Sequence, residues 1–93
     1  MTTITQNDNR WVVEGDILMD TANQLLVKSK TFTLVGNTVV DFSQVAEIDT
    51  ASVSLLLEWR RRAVAESAQL SFVNFPDGLT TLAELYGVTD LIN

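Results

Sequence analysis

The segment at residues 38–62, TVVDFSQVAEIDTASVSLLLEWRRR, constrains the fold most strongly because it joins a strand, a polar turn and a long helix. Residues 39–42 are mainly apolar and rich in β-branched side chains, which predicts a short buried strand. We expect residues 44–47 to form the connection that follows. From Ala51 to about Ser67, apolar residues recur at helical spacing, so this is the longest predicted helix.

The turn before this helix carries two polar residues that can cap it. Asp49 and Thr50 precede the first helical residue, where a side-chain oxygen can accept an N–H group that the first turn leaves unpaired. We therefore predict a capped N-terminus at Asp49 and Thr50.

The predicted helix has two apolar stripes. One face, which we expect to be the core face, holds Val53, Leu56, Leu57, Val64 and Ala68. A second stripe, displaced by more than a quarter turn, contains Ser52, Leu55, Trp59 and Ala63 and ends at Arg62 and Glu66. Leu55 and Trp59 on this stripe have two interpretations, either further core or an exposed apolar patch of the kind that marks a protein interface. We expect the exposed patch.

Composition excludes several classes of function. The 93 residues include 46% hydrophobic and 19% charged residues, which is typical of a single globular domain spanning residues 1–93. The formal charge of −6 argues against binding to nucleic acid or to an anionic membrane. With no Cys and no His, the chain has no thiol nucleophile and no imidazole base, and nearly every kind of zinc site is excluded.

We expect no targeting signal at the start of this sequence. The first ten residues, MTTITQNDNR, have neither the basic nor the apolar region of a signal peptide. No apolar run approaches the roughly 20 residues of a membrane-spanning helix. We therefore expect a cytoplasmic protein that does not insert into the membrane.

The remaining segments predict an N-terminal hairpin followed by alternating helices and strands. The predicted strands are residues 3–6, residues 10–14, which Gly15 and Asp16 end, and residues 69–75. The predicted helices are residues 20–28, with Asp20 as cap, and residues 78–86, with Gly87 as C-cap. Leu91 and Ile92 form an apolar tail. Residues 32–35 alternate in part and could instead be a strand. This order predicts an α/β fold, a mixed β-sheet with an N-terminal hairpin and helices packed on it. The crossover through the long helix should be right-handed and make its flanking strands parallel.

The run VVDFSQVAEIDTASVSLLLEW resembles the signature of STAS domains, the sulphate-transporter and anti-sigma-factor-antagonist family. In both, a hydrophobic strand ends in Asp, and a loop leads to Asp followed by Ser or Thr, small residues and an aliphatic helix. The later LAELYGV, with the apolar tail, resembles more particularly the MlaB-type STAS subunit of bacterial lipid-asymmetry phospholipid ABC transporters. The usual family Gly two places after the hydroxyl is Ser52 here, which puts the docking geometry in question.

The resemblance implies a small STAS-like protein without catalytic activity, metal or cofactor that docks on a nucleotide-binding partner. In the transporter branch the partner is the ABC ATPase and, through it, the membrane permease, which places the protein peripherally at the inner membrane. In the signalling branch it is a kinase-like anti-sigma factor that phosphorylates the motif hydroxyl, here Thr50. The residues expected to bind the partner are Asp49, Thr50, Ala51, Ser52, Leu55, Trp59, Arg62 and Tyr86.

Alternatives remain for several of these residues. Thr50 can be a helix cap as well as a contact, and residues 60–62, three arginines, are typical of solvated helix surface. Asp41 and Asp49 bracket the predicted loop and could bind Mg²⁺ or form an acid/base pair, although turn and cap roles are the more common ones. A hydrolase using Asp49 and Thr50 lacks a base of the usual kind. Self-association is not predicted either way.

Overall fold

The structure, a computed structural model, describes residues 2–87 and is a mixed four-stranded sheet with three helices in that range. Its elements are β1 Thr3–Asn7, β2 Arg10–Ile17, α1 Met19–Ser29, β3 Asn37–Ile48, α2 Ala51–Ala65, β4 Gln69–Val73 and α3 Asp77–Leu85. The strand order is β1-β2-β3-β4, with β1 antiparallel to β2 and the other two pairs parallel. The predicted tail at Leu91 and Ile92 lies outside the described residues.

This architecture confirms the predicted α/β fold. β1 and β2 form the N-terminal hairpin, and β3 and β4, which flank the long helix α2, are parallel as expected. Helix α3 ends at Leu85, and Gly87 follows its C-cap, as predicted, with a φ of 66°, the left-handed conformation that favours glycine after a helix. In the described part of the chain, no helix is long and apolar enough to cross a membrane.

Strand β3 is longer than the sequence suggested. Residues 44–47 continue the strand rather than forming a connection, and β2 likewise continues through Gly15 instead of ending there. The two extensions pair with each other, with Gly15 opposite Val45 and Ile17 opposite Ile48. The register of the two strands shifts between these two pairs. Parallel pairing supplies backbone hydrogen bonds to both segments, and this outweighs their polar composition. Gly15, at a φ of 94°, permits the irregular register.

Helix α1 begins at Met19, one residue before the expected cap at Asp20. Thr21 rather than Asp20 makes the local bond, because its hydroxyl oxygen accepts the Leu18 N–H at 2.9 Å. The strand alternative for residues 32–35 is not adopted, although Leu34 is buried there.

The core lies between the sheet and the helices. Alternate residues of the strands face it, and aromatic rings dominate its centre, as in the edge-to-face pair of Trp11 and Trp59 with ring centroids 5.7 Å apart. Phe42 extends this cluster toward Phe72 and Phe75, at 5.8 and 5.6 Å.

The rotation of α2 about its axis differs from the predicted one by roughly a quarter turn. Its buried residues are Ser52, Val53, Leu55, Leu56, Trp59 and Ala63. The expected core assignment was correct for Val53 and Leu56 and wrong for Leu57 and Val64, which are 37% and 79% exposed. The expected exposed patch at Leu55 and Trp59 is wrong, since they are 3% and 1% exposed. Burial of the large indole against Trp11 sets the rotation of the helix.

Candidate interaction site at the start of helix α2

Asp49 occupies the junction between β3 and α2. Its carboxylate accepts two backbone N–H groups: Oδ1 accepts that of Ala51 at 2.8 Å, and Oδ2 accepts that of Met19 at 2.9 Å. The predicted capping role is therefore confirmed for Asp49. The same carboxylate also reaches the first residue of α1, which the sequence did not indicate.

Thr50 does not cap the helix. Its backbone is already helical, with φ −61° and ψ −23°, and its side chain is exposed and makes no capping hydrogen bond. The hydroxyl that bonds within this turn is instead that of Ser52, which is buried and donates to the Asp49 carbonyl oxygen at 2.7 Å. The exposed hydroxyl at this turn thus belongs to Thr50, whereas that of Ser52 is used within the fold.

A mainly apolar groove of about 560 Å³ surrounds Thr50. Its lining residues come from the start of α1, the first two turns of α2 and the end of α3: Met19, Thr50, Ala51, Val53, Ser54, Leu57 and Tyr86. Thr50, Ser54 and Leu57 follow one another at spacings of four and three residues and so share one face of α2. None of the lining residues carries a charge at neutral pH. We call Met19, Thr50, Ser54, Leu57 and Tyr86 the Thr50 surface.

A second groove continues this surface between α1 and α2. It shares Met19, Ala51 and Ser54 with the first groove and has a volume of about 240 Å³. Leu55 lines this groove but is nearly inaccessible, so its side chain belongs to the core beneath the groove. The two grooves together border the exposed side of the first two turns of α2.

The expected contact residues divide into two groups. Thr50, Ala51 and Tyr86 meet at the first groove, whereas Asp49 does not line it but accepts the N–H of Ala51, which does. Ser52, Leu55 and Trp59 are buried, and Trp59 donates its indole N–H to the hydroxyl oxygen of Ser29 at 2.9 Å.

Arg62 is engaged within the chain rather than at the groove. Its guanidinium donates to the carbonyl oxygens of Ser29, at 2.7 Å, and of Phe32, and it pairs with Glu66. Of the other two arginines, Arg61 fits the predicted solvated surface, being exposed and paired with Glu58 one turn away. Arg62 therefore closes the end of α1 against α2 and does not belong to the Thr50 surface.

Sequence reasoning missed three members of the Thr50 surface, Met19, Ser54 and Leu57. The predicted core face includes Leu57, and Met19 lies 30 residues before Asp49, whose carboxylate accepts its N–H. One signal was present: with Trp59 placed in the core, residues 50, 54 and 57 fall on the opposite, solvent-facing side of the helix.

Asp41 has a structural role in the sheet. Its carboxylate pairs with Arg10 at 2.8 Å and accepts the Asn74 amide at 3.0 Å and the Ser43 backbone N–H at 2.8 Å. Burial by itself would raise the pKa of the Asp41 carboxyl, but these hydrogen bonds hold that pKa well below its usual range.

Asp41 and Asp49 do not form a catalytic or metal-binding pair. Most of β3 separates them, a distance of about 25 Å for eight residues of extended chain. No group of three or more His, Cys, Asp or Glu that could hold a metal occurs within residues 2–87.

Comparison with known proteins identifies the domain. The family model described as Mlab, STAS domain matches residues 1–93. The solved structure of the anti-sigma factor antagonist SpoIIAA in its unphosphorylated form is similar, with a TM-score of 0.75 and 15% identity over 100% of this chain and 86% of that one. The comparison with curated proteins found no match.

Two structures of Mglu share the fold over a part of their length. Their TM-scores are 0.61 and 0.56, with 19% and 15% identity over 81% and 78% of this chain. The matched parts are 19% and 22% of those longer chains, so the likeness concerns one portion of them. At these identities the solved structures establish the fold, and the family model establishes the family. The chain belongs to the STAS domain family, within its MlaB type.

Proposed function

We propose that this chain is a non-enzymatic accessory subunit that docks on the ATPase of a phospholipid-transporting ABC complex through the Thr50 surface. The observation that carries the proposal is an exposed Thr50 hydroxyl, unused by the fold, in an uncharged apolar groove of a MlaB-type STAS domain. Through the ATPase the subunit is linked to the membrane permease and lies in the cytoplasm at the inner membrane.

The chemistry of the groove suits a protein partner. The cores of protein interfaces are depleted of charged side chains and enriched in Met and aromatic residues. Met19 and Tyr86, which line the groove with Thr50, are 76% and 58% exposed, and both can be buried by a partner without removing a charge from water. Small side chains at Thr50, Ala51 and Ser54 let a partner backbone approach the helix closely.

The site supports binding rather than catalysis. A Thr nucleophile needs a neighbouring base, and the groove around Thr50 has no acidic, basic or imidazole side chain in its lining. The nearby Asp49 carboxylate is occupied by two backbone N–H groups. The subunit therefore acts through binding energy, by favouring one conformation of the ATPase over another.

A second candidate function, an anti-sigma-factor antagonist switched by phosphorylation, is supported by the same hydroxyl. Thr50 is exposed and does not cap α2, so a kinase could reach it without breaking the helix start. A phosphate would add up to about two negative charges to the uncharged groove beside Asp49. Such a group would eject a partner that packs against the apolar surface.

A pull-down distinguishes the two functions. The tagged protein is recovered from its own cells in mild detergent beside Thr50→Glu and a matched control, Thr5→Glu, which adds the same charge at an exposed position in β1. We expect the wild-type protein and Thr5→Glu to recover an ABC ATPase with its permease, and Thr50→Glu to lose both.

Two results would contradict the proposal. An ATPase recovered equally by Thr50→Glu would remove Thr50 from the contact. A soluble kinase-like anti-sigma factor, recovered together with phosphate on Thr50, would establish the signalling function instead.

A further inference from the structure

The starts of α1 and α2 are joined by one carboxylate. Oδ2 of Asp49 accepts the N–H of Met19, the first residue of α1, and Oδ1 accepts the N–H of Ala51, the first residue of α2. We propose that Asp49 is a positioning residue that holds Met19 beside Thr50, and that Met19 is a partner-contact residue of this surface. The contact part of this proposal rests on the proposed function.

The chemistry of helix ends explains why one carboxylate can hold both helices. The first N–H groups of a helix have no partner within it, and the helix dipole makes this end attractive to a negative charge. Asp49 presents one oxygen to each helix, and its own N–H donates to the Ile17 carbonyl oxygen at 3.1 Å. The β2–α1 junction is therefore tied to the β3–α2 junction by a backbone bond and by a side-chain bond.

Met19 has no part in the core, which points to a role at the surface. It is 76% exposed, yet it lines both grooves beside Thr50. Val27 and Val35 are also exposed, at 54% and 62%, but they line neither groove. An unbranched thioether adapts to an irregular partner surface, and Met is enriched in interfaces.

The two bonds of Asp49 can be separated by substitution. Asp49→Ser leaves a shorter side chain with one hydroxyl oxygen. This oxygen can cap α2 but cannot reach Met19 as well. Asp20→Ser is the matched control, because it removes the same charge from the first turn of α1 at an exposed position. Met19→Ala removes the proposed contact and leaves Asp49 in place.

The first readout needs no partner. Backbone amide exchange in the isolated chain, followed by NMR, should show the protection of the Met19 N–H falling about tenfold in Asp49→Ser, with that of Ala51 retained. Asp20→Ser should leave both amides as in the wild type. Unchanged protection at Met19 in folded Asp49→Ser would overturn the positioning role.

The second readout is affinity for the ATPase recovered in the pull-down. Asp49→Ser and Met19→Ala should each weaken binding about tenfold. This is the loss typical of truncating a residue that contributes strongly to the binding free energy. If Asp49 acts by placing Met19, the double variant should bind no more weakly than either single variant, because the second change removes a contact already lost. Circular dichroism confirms that each variant is folded.

The outcomes separate this inference from the proposed function. Additive losses in the double variant, or full affinity in Met19→Ala, would overturn the inference while the ATPase still bound the wild type. If no ATPase bound the wild-type chain, the proposed function and the Met19 contact would fail together. The amide exchange at Met19 would still decide whether Asp49 joins the two helices.

Discussion

The two faces of α2 use their side chains differently. On the buried face, even the polar groups are engaged within the chain, as when Trp59 donates to Ser29 and Ser52 donates to the Asp49 carbonyl. On the opposite face, Thr50 and Leu57 are exposed in a groove that contains no charged side chain. One face of the helix is therefore committed to the fold, and the other is exposed.

The buried face also fixes the far end of α1. Ser29 accepts the Trp59 indole N–H through its hydroxyl, and its carbonyl accepts from the Arg62 guanidinium. Asp49 joins the starts of the same two helices. The pair is thus tied at both ends, and the Thr50 surface lies at the end that Asp49 holds.

Replacing Trp59 by Ala gives the largest expected effect and tests the buried face. Loss of this core side chain should lower the free energy of unfolding by about 3–5 kcal/mol, because a cavity forms where the indole packs against Trp11. Urea unfolding followed by circular dichroism measures the change. Affinity for the partner, corrected for the folded fraction, should remain as in the wild type.

The opposite pattern would contradict the assignment of Trp59 to the core. If Trp59→Ala kept its stability and lost the partner, Trp59 would be a contact residue and the assignment of the two faces would be reversed.

A smaller effect on stability is expected from replacing Asp41. Like the polar groups on the buried face of α2, its carboxylate is hydrogen-bonded within the chain, but it lies in the sheet. Its folded pKa lies below the ordinary value of 3.8, so the charged carboxylate stabilises the native state at neutral pH. This contribution is complete well above pH 3.8 and is lost as the pH falls below that value toward the folded pKa. Asp41→Asn should therefore lower stability at pH 7, by about 1–3 kcal/mol.

The pH dependence is the specific test of this carboxylate. The stability difference between the wild type and Asp41→Asn, measured by urea unfolding at several pH values, should narrow as the pH is lowered through the acid range. A difference that stayed constant would show that the carboxylate stabilises the fold without a lowered pKa. Partner binding at pH 7 should be equal in both proteins, since Asp41 is remote from the Thr50 surface.

Local patterns in the sequence were enough to predict most of the fold. Alternation and helical spacing located the strands and helices, Asp49 was recognisable as a cap, and Gly87 as a helix end. Each of these features depends on neighbours in the chain. The extension of β3 over residues 44–47 was not predictable in this way, because it depends on pairing with β2, which lies about 30 residues away along the chain.

The same distinction explains which parts of the site were predictable. Thr50 and Tyr86 were identified through the family resemblance, and they do meet at the groove. The exposure of Leu57 was missed because α2 carries apolar residues on two adjacent faces, and helical spacing cannot choose between them. The choice is made by tertiary contacts, chiefly the meeting of Trp59 with Trp11. Met19 was missed because the Asp49 bond that places it spans 30 residues.

The smallest expected effect on stability, and a large one on binding, comes from Leu57→Ser. Leu57 is 37% exposed and lines the first groove, so its replacement should change the free energy of unfolding by less than about 1 kcal/mol. Loss of an apolar contact in the proposed interface should weaken partner binding by about tenfold or more. Val64→Ser is the matched control, because Val64 is an exposed aliphatic residue on the same side of α2 but outside the groove. Equal losses of affinity in the two variants would show that the partner covers the whole exposed face of the helix, whereas a loss confined to Leu57→Ser would locate the contact at the first two turns.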